Sequence, residues 1–171
     1  MVDAMHVVVM GVTGSGKTTV AKGLAHERAL EFVYGDDLHP AANIAKMTAG
    51  IPLTDEDRWP WLDLVGAWLQ ERSRAVVACS ALKRAYRDRI REIAPGTVFI
   101  HLAAPQSVLS ERVERRLVEE GHFAGPDLLA SQFEALQPLG FDEPGGSIDV
   151  STASAEDVME VALEFVDAFE V

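Results

Sequence analysis

The sequence predicts an α/β domain built on a parallel sheet, and three observations carry that expectation. Short apolar runs alternate with longer amphipathic segments along the chain. Most of the runs are rich in Val, Ile or Phe and lack polar alternation, the pattern of strands buried on both faces. The first run leads into a Gly-rich loop that opens a helical pattern. Alternation of this kind implies right-handed crossovers between neighbouring strands.

Taken in order, Met5–Met10 (MHVVVM) reads as the first strand and Lys17–Arg28 as the helix after it. Leu30–Tyr34 (LEFVY) is the second strand. A helix over about Pro40–Ala49 follows, opened by a proline whose missing N–H is harmless in a first turn and closed by Gly50. Within it Ile44 and Met47 are expected to pack inward. Pro60 marks the start of the next helix, Pro60–Arg72, with Asp57 as a candidate cap. Ala75–Cys79 (AVVAC) is the third strand and Ala81–Ile93 its helix. Thr97–Leu102 (TVFIHL) is the fourth strand, followed by helices over Pro105–Glu120 and Pro126–Leu136. Ser147–Val150 is the fifth. The last helix, Ala155–Phe169, starts at a capping box of Ser154 and Asp157. The loop QPLGFDEPGG between them is too short for a domain linker, so residues 1–171 read as a single domain.

Composition narrows the function. The chain has 171 residues, 48% hydrophobic and 25% charged, which is ordinary for a globular protein. With 15 Lys and Arg against 27 Asp and Glu the net charge is −12. That balance argues against a broad surface for nucleic acid or anionic lipid, while leaving room for a local basic cluster that takes a small anion. Cys79 is the single cysteine, so no internal disulfide can form. The start MVDAMHVVVMGVTG has no cationic leader, and no apolar stretch approaches the roughly 18 residues of a membrane span. The expectation is a soluble, cytoplasmic protein with neither nucleic-acid nor membrane partners.

Residues 11–18 are GVTGSGKT, a complete G-x-x-x-x-G-K-[ST] phosphate loop between a strand and a helix. Gly11, Gly14 and Gly16 let successive N–H groups converge on phosphate oxygens, and the helix end adds its positive dipole. Thr13, Ser15 and Thr19 complete the nucleotide-binding set. Lys17 is placed to reach the β- and γ-phosphates, and the Thr18 hydroxyl to ligate Mg²⁺. A nucleotide with Mg²⁺ is therefore the expected occupant of this loop. No N-K-x-D base-reading motif is present, and DEPG at 142–145 reads as a turn, so a small-molecule kinase fits better than a GTPase.

The acceptor side begins at YGDDLHP, residues 34–40. In a helix opened by Pro40, His39, Asn43 and Lys46 share one face, giving a polar stripe that either reads a polar ligand or is simply solvated. Arg58 has the planar, two-point donor geometry suited to a carboxylate or phosphate. Lys83, Arg87 and Arg91 lie four apart on the helix after the third strand, which opens toward the ligand crevice. Cys79 reads as buried packing. Arg112, Arg115 and Arg116, followed by Gly121–Gln132, have the look of a lid, although ion pairs with Glu111, Glu114, Glu119 and Glu120 account equally well for any one of these arginines.

These residues resemble the gluconate kinase family of P-loop small-molecule kinases. The resemblance rests on MGVTGSGKT, on G-D-x-x-H-P-x-x-N-x-x-K-M-x-x-G-x-P-L-x-D-x-D-R-x-P-W-L from Gly35 to Leu62, on ACSALKRAYRDRIR and on HFAGPDLLASQFEAL, together spanning about residues 5–137. It implies a fold of the nucleoside-monophosphate-kinase type: a five-stranded parallel sheet in the order 2-3-1-4-5, an acceptor segment at about 36–73, and a mobile lid at about 112–132. It also implies ATP-dependent phosphorylation of D-gluconate to 6-phosphogluconate, and a homodimer. Mapped by motif, Lys17, Asp36 and Arg58 become the catalytic set, with Asp36 as the base. His39, Lys46, Arg58, Lys83, Arg87, His122 and Gln132 become gluconate contacts, while Arg112 and Arg116 reach ATP. Asn43 joins His39 and Lys46 in reading the hydroxyls, and Asp37, at a variable position, caps the following helix. The chain departs from the family at Glu119 and Glu120, where basic residues are frequent, and its tail after Gln137 matches poorly. A shikimate-type kinase, or a nucleotide-binding sensor without turnover, is the alternative.

Overall fold

A computed structural model describes residues 4–120 and 126–170, leaving aside the side chains of 116–120 and 126–127. Five parallel strands form one sheet: β1 (Met5–Met10), β2 (Glu31–Tyr34), β3 (Arg74–Ala78), β4 (Val98–Ala103) and β5 (Gly145–Asp149), in the order β2-β3-β1-β4-β5. The expected order is the observed one. The central strands carry no polar alternation because both their faces are covered.

On one face, Val7, Val9, Val76 and Ile100 pack against α1 (Lys17–Arg28) and α7 (Ala155–Phe169), through Ala21 and Leu24 of the first and Ala162 and Val166 of the second. On the other, Val8, Met10, Val77 and Phe99 meet Trp61, Leu62, Val65 and Leu69 of α3 (Asp55–Gln70) and Tyr86 and Ile90 of α4 (Arg84–Ile93). A smaller apolar cluster of Val12, Leu82, Leu109, Val113 and Leu129 ties α5 (Gln106–Glu120) and α6 (Pro126–Ala135) to the phosphate loop. The register sets Val8 beside Val77 and Phe99, so β1 is supported on both edges. All five strands point the same way, and their carboxyl ends open on one crevice where α/β sheets bind ligands.

The main departures from the sequence reading are two helix starts, one cap and one helix orientation. Helix α3 starts at Asp55, not Pro60. Thr54 is the cap, its hydroxyl accepting from the Asp57 N–H at 3.2 Å while the Asp57 carboxylate accepts from the Thr54 N–H at 2.9 Å. That reciprocal pair, with three acidic residues in the first turn, favours the earlier start over the proline signal. Helix α4 starts at Arg84 because Ala81 adopts a left-handed φ of 44° and Lys83 is extended. Asp37 lies in a 3₁₀ turn, Gly35–Leu38, and caps nothing; α2 (Ala41–Thr48) has Pro40 at its cap position without a side-chain bond.

The orientation of α2 is the larger correction. Asn43 is its buried residue, whereas Ile44 and Met47 are 46% and 42% exposed. Its polar stripe faces the protein and its apolar stripe faces out. Hydrogen bonds, not apolar burial, fix its direction.

Candidate active site

The phosphate loop runs from the end of β1 into α1. Gly11 has φ 149°, and a Cβ built there would lie 2.7 Å from Ser15 Oγ and 2.9 Å from the Leu102 carbonyl. Only a glycine lets the loop close over β4 at this point. Ser15 is buried and its Oγ has no partner among the described residues, leaving a polar group inside the loop. Lys17 Nζ donates to the Val12 carbonyl at 3.1 Å, which folds its side chain back over the loop.

Beside this loop lies an open cavity of about 270 Å³, close to the lower end of the small-ligand range. Gly14, Ser15, Gly16 and Thr19 form its polar wall, while Val150, Ala153, Val158 and Met159 form an apolar wall. Arg112 closes one side and donates from Nη2 to the Val150 carbonyl at 2.6 Å. A helix start rich in backbone N–H groups, next to an apolar slot, suits a phosphate chain bearing a flat ring. The apolar wall comes from the β5–α7 connection and the first turns of α7, which no motif marks; the Ser154–Asp157 cap located the segment without revealing its role.

The acceptor block occupies the carboxyl ends of β2 and β3. Trp61 Nε1 donates to the Gly35 carbonyl at 2.8 Å and pins the 3₁₀ turn to α3. Gly35 itself abuts β3, where an added Cβ would meet the Ala78 carbonyl at 2.8 Å. The Asp36 carboxylate that this turn carries is 88% exposed. The Gly35 turn packs against Ala78 and Cys79, and the phosphate loop is tied to the same strand end by the Gly11 N–H, which donates to the Ser80 carbonyl at 3.3 Å; the Asp36 and Lys17 charges both reach the Cys79 thiol. Burial pushes that thiol up to about 12, with the Asp36 charge adding to the effect and Lys17 opposing it. Cys79 is thus packing, as expected, and not a nucleophile.

A second cluster faces the same end of the sheet. Asp55 accepts from the Tyr86 hydroxyl at 2.5 Å and from Lys83 Nζ at 3.2 Å, with Arg58 Nη1 3.9 Å away. The Tyr86 bond, then Lys83, holds the Asp55 carboxyl below its ordinary range, and burial with the same bond raises the Tyr86 phenol. Arg58 Nη1 also donates to the Leu53 carbonyl at 2.8 Å, and its guanidinium lies 5.7 Å from the Tyr86 ring centre. Two cations against one carboxylate leave this cluster with one formal positive charge. Asp55 and Tyr86 were not singled out from the sequence, although Asp55 sits in the motif that carries Arg58.

Other expected contacts lie elsewhere. Arg87 is fully buried. Its Nε and Nη2 donate to the Glu143 carboxylate at 2.8 and 3.1 Å, and its Nη1 donates to the Ala81 and Leu82 carbonyls. It is a structural cross-link here, with no face turned to a ligand. Burial acts to raise Glu143, but donors from Arg87, Gly140 and Arg91 outweigh it and hold the carboxyl at about 2. The DEPG segment is a turn, as read, yet its glutamate is the counter-ion of Arg87. Gln132 accepts from the Thr13 N–H at 2.6 Å, which places its amide against the phosphate loop. Asn43 is buried and hydrogen-bonded within the protein, which removes it from the hydroxyl-reading set. Lys46 Nζ is held by both Asp57 oxygens, at 2.9 and 2.8 Å; its bond, helped by the Thr54 N–H, keeps the Asp57 carboxyl at about 2. His122 and the Arg116 side chain lie outside the described residues.

Comparison with known proteins agrees with this architecture. An AAA domain family model matches residues 7–138. The gluconokinase of Gluconobacter oxydans (strain 621H) is 47% identical over 161 residues, 92% of this chain and 86% of the relative. The thermoresistant gluconokinase of Escherichia coli (strain K12) is 45% identical over 140 residues, 80% of this chain and 78% of its own. The crystal structure of a gluconokinase from Sinorhizobium meliloti 1021 superposes with a TM-score of 0.87 at 42% identity, covering 99% of this chain and 95% of that one. The chain belongs to the gluconokinase family of ATP-dependent P-loop kinases.

Proposed function

We propose that the protein phosphorylates D-gluconate at its terminal hydroxyl with ATP, giving 6-phospho-D-gluconate for pentose phosphate metabolism. The observation that supports this reading is an exposed carboxylate on the turn after β2 and a net-positive cluster at the starts of α3 and α4. Asp36 stands exposed beside the Lys17 loop, while the Arg58–Lys83–Asp55 cluster leaves one formal positive charge for an acceptor with one carboxylate. Phosphoryl transfer needs positioning and charge neutralisation more than covalent help, and the described residues supply both.

In this reading the backbone of Gly14, Ser15 and Gly16 cradles the phosphates, Lys17 neutralises the transferring group, and Arg112 with the Val150–Met159 wall holds the base. Thr18 offers one hard oxygen at the loop, which suits Mg²⁺, an ion that keeps one or two protein ligands and takes the rest from phosphates and water. Bound there, Mg²⁺ would supply charge neutralisation at the phosphate oxygens. Asp36 accepts the proton of the terminal hydroxyl as the new bond to phosphorus forms. Arg58 and Lys83 fix the carboxylate end, and Lys46 reads a hydroxyl between them. His122 and the homodimer remain part of the proposal through family resemblance.

Release of ADP, measured in parallel with gluconate, with shikimate and with no acceptor, tests the activity. Gluconate-dependent release is expected, and its absence refutes the reading. Asp36→Asn should lower kcat by about 10²–10⁴-fold, the usual contribution of a general base. A loss below tenfold in a folded variant removes Asp36 from that role.

A further inference from the structure

His39 and Asn43 were expected to touch the acceptor, but their hydrogen bonds describe a different arrangement. The Asn43 amide has two N–H hydrogens, and both are used: Nδ2 lies 2.8 Å from the Asp57 carbonyl and 3.1 Å from His39 Nδ1. A carbonyl can only accept, so Nδ2 of Asn43 must be the atom that faces it. The same nitrogen therefore donates its second hydrogen to His39 Nδ1, which must carry a lone pair. In a neutral ring the proton is then on Nε2. That Nε2 points toward the Asp36 carboxylate, 3.9 Å from Oδ1.

The ring is also fixed in its plane. His39 is buried and stacks on Trp61, with ring centres 4.2 Å apart and planes 15° from parallel. Trp61 is itself tied to the Gly35 carbonyl of the turn that carries Asp36. Burial lowers the His39 pKa, the Asp36 charge opposes this, and Arg58 adds to the lowering, so the ring is neutral near pH 7. The gap of 3.9 Å is longer than a hydrogen bond, but the Asp36 side chain is exposed and such bonds often tighten only when substrate is bound.

We propose that Asn43 is a positioning residue for phosphoryl transfer: it locks His39 as the Nε2–H tautomer, and His39 donates that hydrogen to Asp36. The chain of donors runs from Asn43, anchored on the Asp57 carbonyl at the start of α3, through His39 to the carboxylate. One carboxylate oxygen is thereby occupied and the other is turned to the acceptor hydroxyl. The inference rests on the reading of Asp36 as the base.

Long-range proton–nitrogen NMR of the His39 ring in the intact protein at pH 7 tests the lock without reference to activity, the His39→Gln variant assigning the signals. Protonated Nε2 with unprotonated Nδ1 is expected; the opposite tautomer or an imidazolium overturns the proposal. In Asn43→Leu a mixture of tautomers is expected, with kcat lower by about 10–100-fold, by analogy with partners that orient metal-bound histidines. The KM for gluconate should stay within threefold. An unchanged kcat refutes the role.

In the Asp36→Asn background the same substitution should change kcat by less than twofold, since the amide at 36 still accepts the hydrogen but no longer acts as the base that the donor positions. A loss that persists there shows Asn43 acting by another route. Glutamine places its amide where Nε2 stood and asparagine where Nδ1 stood, so His39→Gln should keep more turnover than His39→Asn; the reverse order refutes the donor role. Wild-type NMR and this pair decide the matter even if Asn43→Leu folds poorly. If Asp36→Asn alone leaves kcat within tenfold, the base reading falls and the donor's target falls with it, whereas an incorrect ring tautomer defeats only the present proposal.

Discussion

Glu143→Gln keeps the shape of a buried side chain and removes its charge. Each carboxylate oxygen of Glu143 accepts twice: Oε1 from Arg87 Nε and Arg91 Nη2, both at 2.8 Å, and Oε2 from Arg87 Nη2 at 3.1 Å and the Gly140 N–H at 2.8 Å. An amide has one acceptor end, so either orientation of the glutamine sets N–H against two donors. The fully buried Arg87 guanidinium is left without its counter-ion. Breaking a buried pair from one side costs about 3–5 kcal/mol. At about 2–4 °C per kcal/mol for a chain of this size, the melting temperature should fall by roughly 6–20 °C. Circular dichroism melts at pH 7 measure the shift, and initial rates at 20 °C on the folded variant measure function. Turnover and the gluconate KM should stay within twofold, because the network touches no ligand. A melting shift below about 2 °C refutes the structural role. A raised gluconate KM with unchanged melting would restore Arg87 to the acceptor, where the family resemblance placed it.

Three further outcomes follow from the same geometry. Asp55→Asn should raise the gluconate KM by roughly 10–150-fold and leave the ATP KM within twofold, since losing one charge-assisted hydrogen bond of about 1.5–3 kcal/mol unseats Lys83, Tyr86 and Arg58 together; equal effects on both substrates would contradict it. Gly35→Ala should cost about 1–3 kcal/mol by overpacking against the Ala78 carbonyl and Cys79, and should lower kcat because the turn carrying Asp36 must shift; unchanged urea midpoints and rates would disprove the close approach. Glu143 and Asp142 both titrate near 2 in the fold, below their unfolded range of about 4. Depressed carboxylates stabilise above the unfolded pKa and lose that contribution as pH falls, so the urea midpoint should decline between about pH 4.5 and 2, and more shallowly in Glu143→Gln.

The sheet was legible because its strands are apolar on both faces, a pattern that few other elements share. The phosphate loop was legible because its glycines and lysine have little chemical freedom. What the sequence concealed depends on partners remote in the chain. Arg87 looks the same whether it grips a ligand or Glu143, which lies 56 residues away. Asp55 gains its role from Tyr86 and Lys83 on another helix. The start of α3 was misplaced because Pro60 is a local signal, whereas the Thr54–Asp57 box is a pair. Hydrophobic periodicity misdirected α2, since it assumes that the apolar side of a helix is the buried side. For a helix built into a polar site the hydrogen-bond donors decide instead.

That inverted helix also bears on motion. Elements that pack through apolar area separate only when a core opens, but α2 is held through the Asn43 and Lys46 side chains, whose bonds are each worth about 0.5–3 kcal/mol. Bonds of that size predict that it opens as a small unit while the sheet stays intact. Its amides should then exchange with solvent ahead of those in β1 and β3, and slow when gluconate binds. If gluconate slows that exchange, part of its binding free energy goes into seating this helix, and selection among sugar acids becomes partly a question of which one seats it.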